Sequence, residues 1–276
     1  MGFEIQAHRG ARSFFPENTI RAFCKAADLG IRVIELDLVV SGDSQLVVSH
    51  DPWLSGPLCS DPLGRPLGDE DHSSHVIFTM TYGEIASFSC GRPLAAFPDQ
   101  QRIDAVKPLL GDVFSSVDAY MGEYGMEGGM IFNLEIKSWP GKERVYHPEP
   151  SDYARLVVEF VEASGFQGRV RIQSFDYRVV REAWRLHEGL CYGLLVNDAS
   201  HTIPFLNELG FTPHFLNPRY PIVCRSLIEE LHGRGIRVIP WTVNRPEDML
   251  EMKRLGADGL ITDYPETALA LSGLFD

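Results

Sequence analysis

Eight strand-like runs, each followed by a helix-like stretch except for a detour after the second, constrain this chain more than any other feature. The runs are Phe3–Ala7, Val33–Val39, Met130–Ile136, Val170–Ser174, Leu190–Val196, His214–Leu216, Ile236–Trp241 and Gly259–Ile261. Helical spacing recurs between them. In Thr19–Leu29, Ile20, Phe23, Cys24 and Ala27 share one stripe and Gly30 follows as a stop signal. Similar patterns cover Tyr82–Phe88, Val113–Tyr124, Ser151–Ala163, Tyr177–His187, Ile203–Leu209, Ile222–Gly233, Pro246–Leu255 and a last stretch from Pro265. Alternating strands and helices imply a parallel sheet with crossover helices. Eight units in 276 residues fit a (β/α)8 TIM barrel, which needs about 250 residues. A doubly wound open sheet is the competing architecture. One domain is expected over residues 1–276, with a core large enough to need neither disulfides nor a structural metal.

Two segments break the repeat. Residues 52–78 are rich in Gly and Pro, as in Asp61-Pro62-Leu63-Gly64, and read as a loop-rich insertion after the second strand. A short extended piece, Gln45–Ser49, precedes it. Ser138–Pro150 is a polar loop after the third strand. Long loops are usually functional or mobile, and in a barrel these two lie on the C-terminal face, where active sites are built.

The 25 Lys and Arg against 38 Asp and Glu leave a net charge of −13. That charge disfavours nucleic acid and anionic membranes as partners, since both are negative. It does not exclude a small anionic substrate, because a few basic groups or a metal can reverse the field in one cleft. No apolar run approaches the roughly 18 residues of a membrane span, and no basic leader precedes the first strand. The five cysteines are scattered without a CxxC pair and read as reduced thiols of a cytoplasmic protein.

Strand parity locates the chemistry. Ile34, Leu36 and Leu38 form one face of the second strand, which puts Glu35 and Asp37 together on the other. Both faces of a barrel strand are buried, so two adjacent carboxylates need a compensating partner. The third strand repeats the pattern, with Asn133, Glu135 and Lys137 opposite Phe132, Leu134 and Ile136. A hard cation such as Mg2+ or Ca2+, a protonated carboxyl, or basic neighbours such as Arg9 and Lys137 would each serve. His8 and His50 end extended segments beside these carboxylates, and imidazole is suited to proton transfer near neutral pH. Arg9 adds a planar donor fork suited to phosphate or carboxylate.

His8-Arg9-Gly10, Pro16-Glu17-Asn18-Thr19, Glu35-Leu36-Asp37, His50-Asp51 and Glu135-Ile136-Lys137 stand in the order and spacing of the glycerophosphodiester phosphodiesterase family. Gln173-Ser174-Phe175-Asp176, Trp241-Thr242-Val243-Asn244 and Ile261-Thr262-Asp263-Tyr264-Pro265 extend the resemblance to nearly the whole chain. The resemblance implies a catalytic TIM barrel that hydrolyses a small-molecule glycerophosphodiester to an alcohol and sn-glycerol 3-phosphate. It implies one divalent cation, Mg2+ or Ca2+, held by Glu35, Asp37 and Glu135. His8 and His50 become the acid–base pair, Arg9 and Lys137 contact phosphate, and Trp241 walls the glycerol pocket. One departure is the turn Ser41-Gly42-Asp43-Ser44, where the glycine is displaced from the family's Asp-Gly position.

Other readings are weaker. A metal-dependent amidohydrolase wants His-X-His on the first strand, and position 10 is Gly. A catalytically silent head-group-binding barrel sits poorly with an intact His pair. Blander roles are expected elsewhere: Asn18 or Thr19 as a helix cap, Asp176 as another, and Asp51 as either a partner of His50 or a turn residue. Only one of Gln173 and Ser174 can face the barrel, and Asn244 and Asp263 read as loop or cap residues on the active face. The remaining histidines, His72 and His147 among them, show no ligand spacing.

Overall fold

The computed structural model describes residues 2–68, 74–126 and 129–274. Part of the expected 52–78 insertion, including His72, lies outside the described residues. The chain runs β1 (Glu4–His8), α1 (Ile20–Asp28), β2 (Val33–Val40), β3 (Leu46–Val48), α2 (Tyr82–Ile85), α3 (Leu110–Glu123), β4 (Ile131–Ile136) and α4 (Pro150–Ser164). It continues through β5 (Val170–Ser174), α5 (Tyr177–Leu186), β6 (Cys191–Val196), α6 (Ala199–Leu209), β7 (Phe215–Pro218), α7 (Arg225–Gly233), β8 (Arg237–Val238), α8 (Pro246–Leu255), β9 (Gly259–Thr262) and α9 (Pro265–Ala270).

Among the described residues eight strands pair in parallel, in the order β8-β7-β6-β5-β4-β2-β1-β9. The ring closes where Ile261 N–H donates to Pro240 O at 2.8 Å and Asp258 N–H to Val238 O at 2.9 Å. This is the expected (β/α)8 barrel. The short piece after β2 is β3, which runs back antiparallel along it with Leu38 opposite Val48.

Parity holds through the barrel. Ile34, Leu36, Leu38, Phe132, Leu134 and Ile136 point outward and pack with Phe23, Phe114 and Val157 of the surrounding helices. The opposite set points inward and is unusually polar, arranged in layers by the register. At the N-terminal end Glu4 pairs with Arg171 at 2.6 Å and Arg237 at 3.6 Å. In the next layer Asn133 donates to Gln6 at 2.8 Å, and Gln173 meets Asn217. Because the polar groups of these two layers are paired with one another, this part of the interior can be polar without a large desolvation cost. The C-terminal layer carries His8, Glu35 and Glu135.

The insertion is more ordered than its lack of periodicity suggests. Leu54, Leu58, Cys59, Ile77, Ile85, Phe88 and Cys90 form a second apolar cluster against Val39 and Val47 of the β2–β3 hairpin. Isolated bridges Trp53–Val76 and Ser60–Ser89 tie the segment together. Its apolar residues are irregularly spaced because they answer to tertiary packing and not to a helix or strand period.

Cys59 and Cys90 form a disulfide, which corrects the expectation of reduced thiols throughout. Cys24, Cys191 and Cys224 are free. The bond closes a sequence separation of 31 residues, so loop-closure entropy gives it about 3–4 kcal/mol. Reductant, or Cys59→Ser, is expected to lower the melting temperature by roughly 5–15 °C. Thiol titration in denaturant checks the pairing: three thiols before reduction and five after (the total of five less the bonded pair leaves three).

Candidate active site

The turn after β1 builds one wall of the site. Arg9 and Gly10 both have positive φ, 58° and 87°. A Cβ at position 10 would lie 2.8 Å from Ala22 backbone, so this turn needs glycine for space as well as for φ. Arg9 is not glycine, and its left-handed backbone is maintained by the contacts it makes. Its N–H donates to Glu35 Oε2 at 3.1 Å, its Nη1 to Glu17 at 2.9 Å, and its Nε lies 3.1 Å from Asp37 Oδ2.

The helix cap of α1 is Thr19, whose hydroxyl accepts from Ala22 N–H at 3.2 Å. Asn18 has a different task. At φ 56° it turns inward, donates to Asp37 Oδ2 at 2.8 Å and accepts from the Asp37 N–H at 3.3 Å. Asp176 is the expected cap of α5, and Ser138 donates to it at 2.7 Å. Of the β5 pair, Gln173 faces the barrel and Ser174 donates to Ile136 O at 2.7 Å.

Glu35, Asp37 and Glu135 each offer an oxygen, and these oxygens lie within 4.8 Å of one another. All three are buried. Lys137 Nζ reaches Glu135 at 2.7 Å and Asp37 at 3.3 Å. Burial pushes the Asp37 carboxyl up, but Lys137 and Arg9 outweigh it and hold the group well below the usual carboxylate range. Glu35 goes the other way: burial first, then the charges of Asp37 and Glu135, raise it well above that range. Its Oε1 is buried with no hydrogen-bond partner.

Each histidine is held by a carboxylate. His8 Nδ1 lies 2.7 Å from Asp263 Oδ1, and its Nε2 is 3.9 Å from Glu35. Burial pushes Asp263 up, but His8, Arg12 and Asn244 outweigh that and keep it ionised. An ionised carboxylate only accepts, so Nδ1 carries the proton and Nε2 faces the cleft. Burial and the Arg9 charge push the His8 imidazole below its ordinary value, with Asp263 opposing. His50 Nδ1 lies 2.8 Å from Asp51 Oδ1, so Asp51 is its orienting partner. Burial raises Asp51, but His50 and Lys107 bring it below the ordinary value.

Most of these groups open onto a cleft of about 350 Å3 lined by His8, Arg9, Glu35, His50, Glu135 and Lys137 on one side. Phe175 and Trp241 close it opposite, their rings 5.2 Å apart and edge to face. Trp241 Nε1 donates to Asn217 O at 2.8 Å, which fixes the indole. Asp37 sits beneath this surface. A larger groove of about 680 Å3 runs beside α1, α3 and residues 103–108, away from the carboxylates.

All the candidate residues therefore meet at the C-terminal end of the barrel. Sequence reasoning missed the working partners of three of them. Asn244 donates to Asp263 at 2.7 Å and thereby helps set His8. Glu17 takes Arg9 and Arg12 as ion-pair partners. Lys107 is buried near Glu17 and Asp51, and burial pushes its ammonium below the ordinary value against those two charges. For Asn244 and Asp263 the signal was their place just past strand ends; for Lys107 the sequence held none.

A model of the glycerophosphoryl diester phosphodiesterase family matches residues 8–267. A glycerophosphodiester phosphodiesterase of Caldanaerobacter subterraneus is 30% identical over 271 residues, covering 97% of this chain and 96% of the relative. A solved structure from Silicibacter pomeroyi, described under the same family name, superposes with a TM-score of 0.86 at 26% identity, over 98% of this chain and 93% of that one. An Oleispira antarctica phosphodiesterase, solved with its product sn-glycerol-3-phosphate, has the same fold with a TM-score of 0.77 at 22% identity, over 98% and 96% of the two chains. With a family match that runs from His8 at the end of β1 into α9, this chain belongs to the glycerophosphoryl diester phosphodiesterases, a family of phosphoric diester hydrolases.

Proposed function

We propose that this enzyme hydrolyses glycerophosphodiesters to an alcohol and sn-glycerol 3-phosphate, with one divalent cation and a His8/His50 proton relay. The observation that carries this reading is the buried trio Glu35, Asp37 and Glu135, faced by Arg9 and Lys137 and flanked by two carboxylate-oriented histidines. The trio fits a hard cation such as Mg2+ or Ca2+. It offers only oxygen, and the orphaned Glu35 Oε1 is a buried acceptor in need of a partner. A bound cation would add positive charge where the phosphoryl oxygens gain negative charge.

The chain's own residues divide the remaining work. Arg9 and Lys137 line the cleft and hold the anionic phosphodiester. Trp241 and Phe175 cover the glycerol arm. His8 Nε2, kept neutral by burial and by Arg9, removes the proton from the attacking oxygen, either water or the neighbouring glycerol hydroxyl. A new P–O bond forms, the bond to the leaving alcohol breaks, and His50 Nε2 gives that alkoxide its proton; where the glycerol hydroxyl attacks, the product is a cyclic phosphate, and a water then adds to phosphorus and breaks the ring P–O bond to give glycerol 3-phosphate. We take the chain as one catalytic domain, with residues 52–78 inserted beside His50.

No helix among the described residues is long and apolar enough to cross a membrane. The proposal keeps the enzyme in the cytoplasm, acting on small soluble diesters. The Cys59–Cys90 bond is one that a reducing compartment opposes, so the thiol count on protein taken from cells bears directly on location.

The expected result is release of glycerol 3-phosphate from glycerophosphocholine or glycerophosphoethanolamine, lost in chelator and restored by Mg2+ or Ca2+. Absence of turnover on a panel of glycerophosphodiesters, with Mg2+, Ca2+ and Mn2+ each supplied, would refute it.

A further inference from the structure

A second cavity, of about 340 Å3, adjoins the catalytic cleft, and the two share His50 and Trp139 as a common wall. Its other walls are Pro52 and Trp53 from the insertion and Pro140 and Tyr146 from the loop after β4. The Trp53 and Tyr146 rings meet edge to face with centroids 5.7 Å apart. Both walls are anchored. Leu54 N–H donates to His75 O at 3.0 Å and Ile77 N–H to Pro52 O at 2.9 Å. The facing loop is pinned by the buried His147, whose Nε2 accepts from Trp139 N–H at 2.9 Å, and by Glu143, which pairs with Arg178 at 2.7 Å. The trough is thus preformed, which lowers the ordering cost of filling it.

Resting on the hydrolase reading above, we propose that this trough is the subsite for the leaving alcohol and that it selects alcohols bearing an uncharged apolar group. His50 stands at the junction, so the alkoxide it protonates departs on the trough side. The choice of an uncharged group follows from the charges at the rings. Lys142 Nζ already lies 5.7 Å from the Tyr146 ring centroid, and Lys137 Nζ lies 5.9 Å from that of Trp139. A cationic head group would meet the Lys142 ammonium in the trough itself, with Lys137 across the shared Trp139 wall. The one carboxylate lining the trough, Asp51, is engaged by His50. An alkyl chain can lie against the Trp53, Trp139 and Tyr146 rings and the edges of Pro52 and Pro140.

A series of glycerophosphodiesters with ethyl, butyl and hexyl leaving alcohols isolates this effect, because their alcohols differ little in acidity. For the wild-type enzyme kcat/KM is expected to rise by two- to fourfold per methylene, the range that burial of a CH2 allows (about 0.8 kcal/mol at full burial). Trp53→Ala and Tyr146→Ala should collapse the hexyl-to-ethyl ratio toward one. The wild-type slope is read without any variant, so a poorly folding variant leaves the question decided. A flat wild-type slope overturns the proposal, as does a hexyl-to-ethyl ratio that survives in both folded variants. A choline diester preferred over the hexyl one, with that preference lost in Trp53→Ala, would reassign the trough to a cation and also overturn it. Failure to cleave even the ethyl diester would instead strike at the hydrolase reading.

Discussion

Replacing His8 or His50 by alanine is expected to lower kcat on a glycerophosphodiester by about 10²–10⁴-fold, with the fold intact by circular dichroism. The Asp263→Asn variant separates catalysis from mere packing at His8. In the native site the carboxylate holds the proton on Nδ1 and raises the imidazole pKa against burial and Arg9. An asparagine amide can donate to Nδ1, which moves the ring proton to Nε2 and removes the base. It also withdraws a negative charge. The fraction of enzyme with neutral His8 falls as pH drops through its already lowered pKa, and that acid limb should move to lower pH still in Asp263→Asn while the plateau falls. The pH profile of kcat/KM measures both. A lower plateau with an unmoved limb would mean that Asp263 only packs, and near-full activity in His8→Ala would remove His8 from the proton relay.

The structure makes clear which parts of this site a sequence can disclose. Period-two alternation in β2 and β4 put Glu35, Asp37 and Glu135 inside the barrel, because one parity class had to meet the helices. The register then places Asp37 beside Glu135. No local pattern could join His8 to Asp263, which lies 255 positions away and meets it only because β9 closes the ring against β1. Asn18 was readable only as a cap alongside Thr19; its positive φ and its two hydrogen bonds to Asp37 appear only in the folded chain. The Cys59–Cys90 bond lies in a segment whose packing has no period, so neither its spacing nor its surroundings betrayed it. The same irregularity hid the aromatic trough, since Trp53, Trp139 and Tyr146 come from two separate loops.

Glu35→Gln is expected to make the cation-free protein more stable while abolishing its response to cation. Three carboxylates face two basic side chains, and the pairing is unequal. Asp37 has Arg9, Lys137 and Asn18, and Glu135 has Lys137, whereas Glu35 has the Arg9 N–H at 3.1 Å and His8 at 3.9 Å. Burial and its two acidic neighbours raise the Glu35 pKa accordingly. A carboxyl raised on folding contributes stability that is fully present below its unfolded value near 4.5 and is lost as pH climbs through the folded value. Glutamine keeps an acceptor for the Arg9 N–H and removes the charge, so in chelator at neutral pH it should gain roughly 1–3 kcal/mol, a shift of several degrees in melting temperature. Cation reverses the order. Bound to the ionised trio as proposed, a cation at a hundredfold excess over its Kd should stabilise the wild type by about 2.7 kcal/mol. Thermal melts in chelator and in Mg2+ or Ca2+ read all four states. If Glu35→Gln is no more stable than wild type in chelator, Glu35 is not the uncompensated charge; if it keeps the full cation shift, Glu35 is not a ligand.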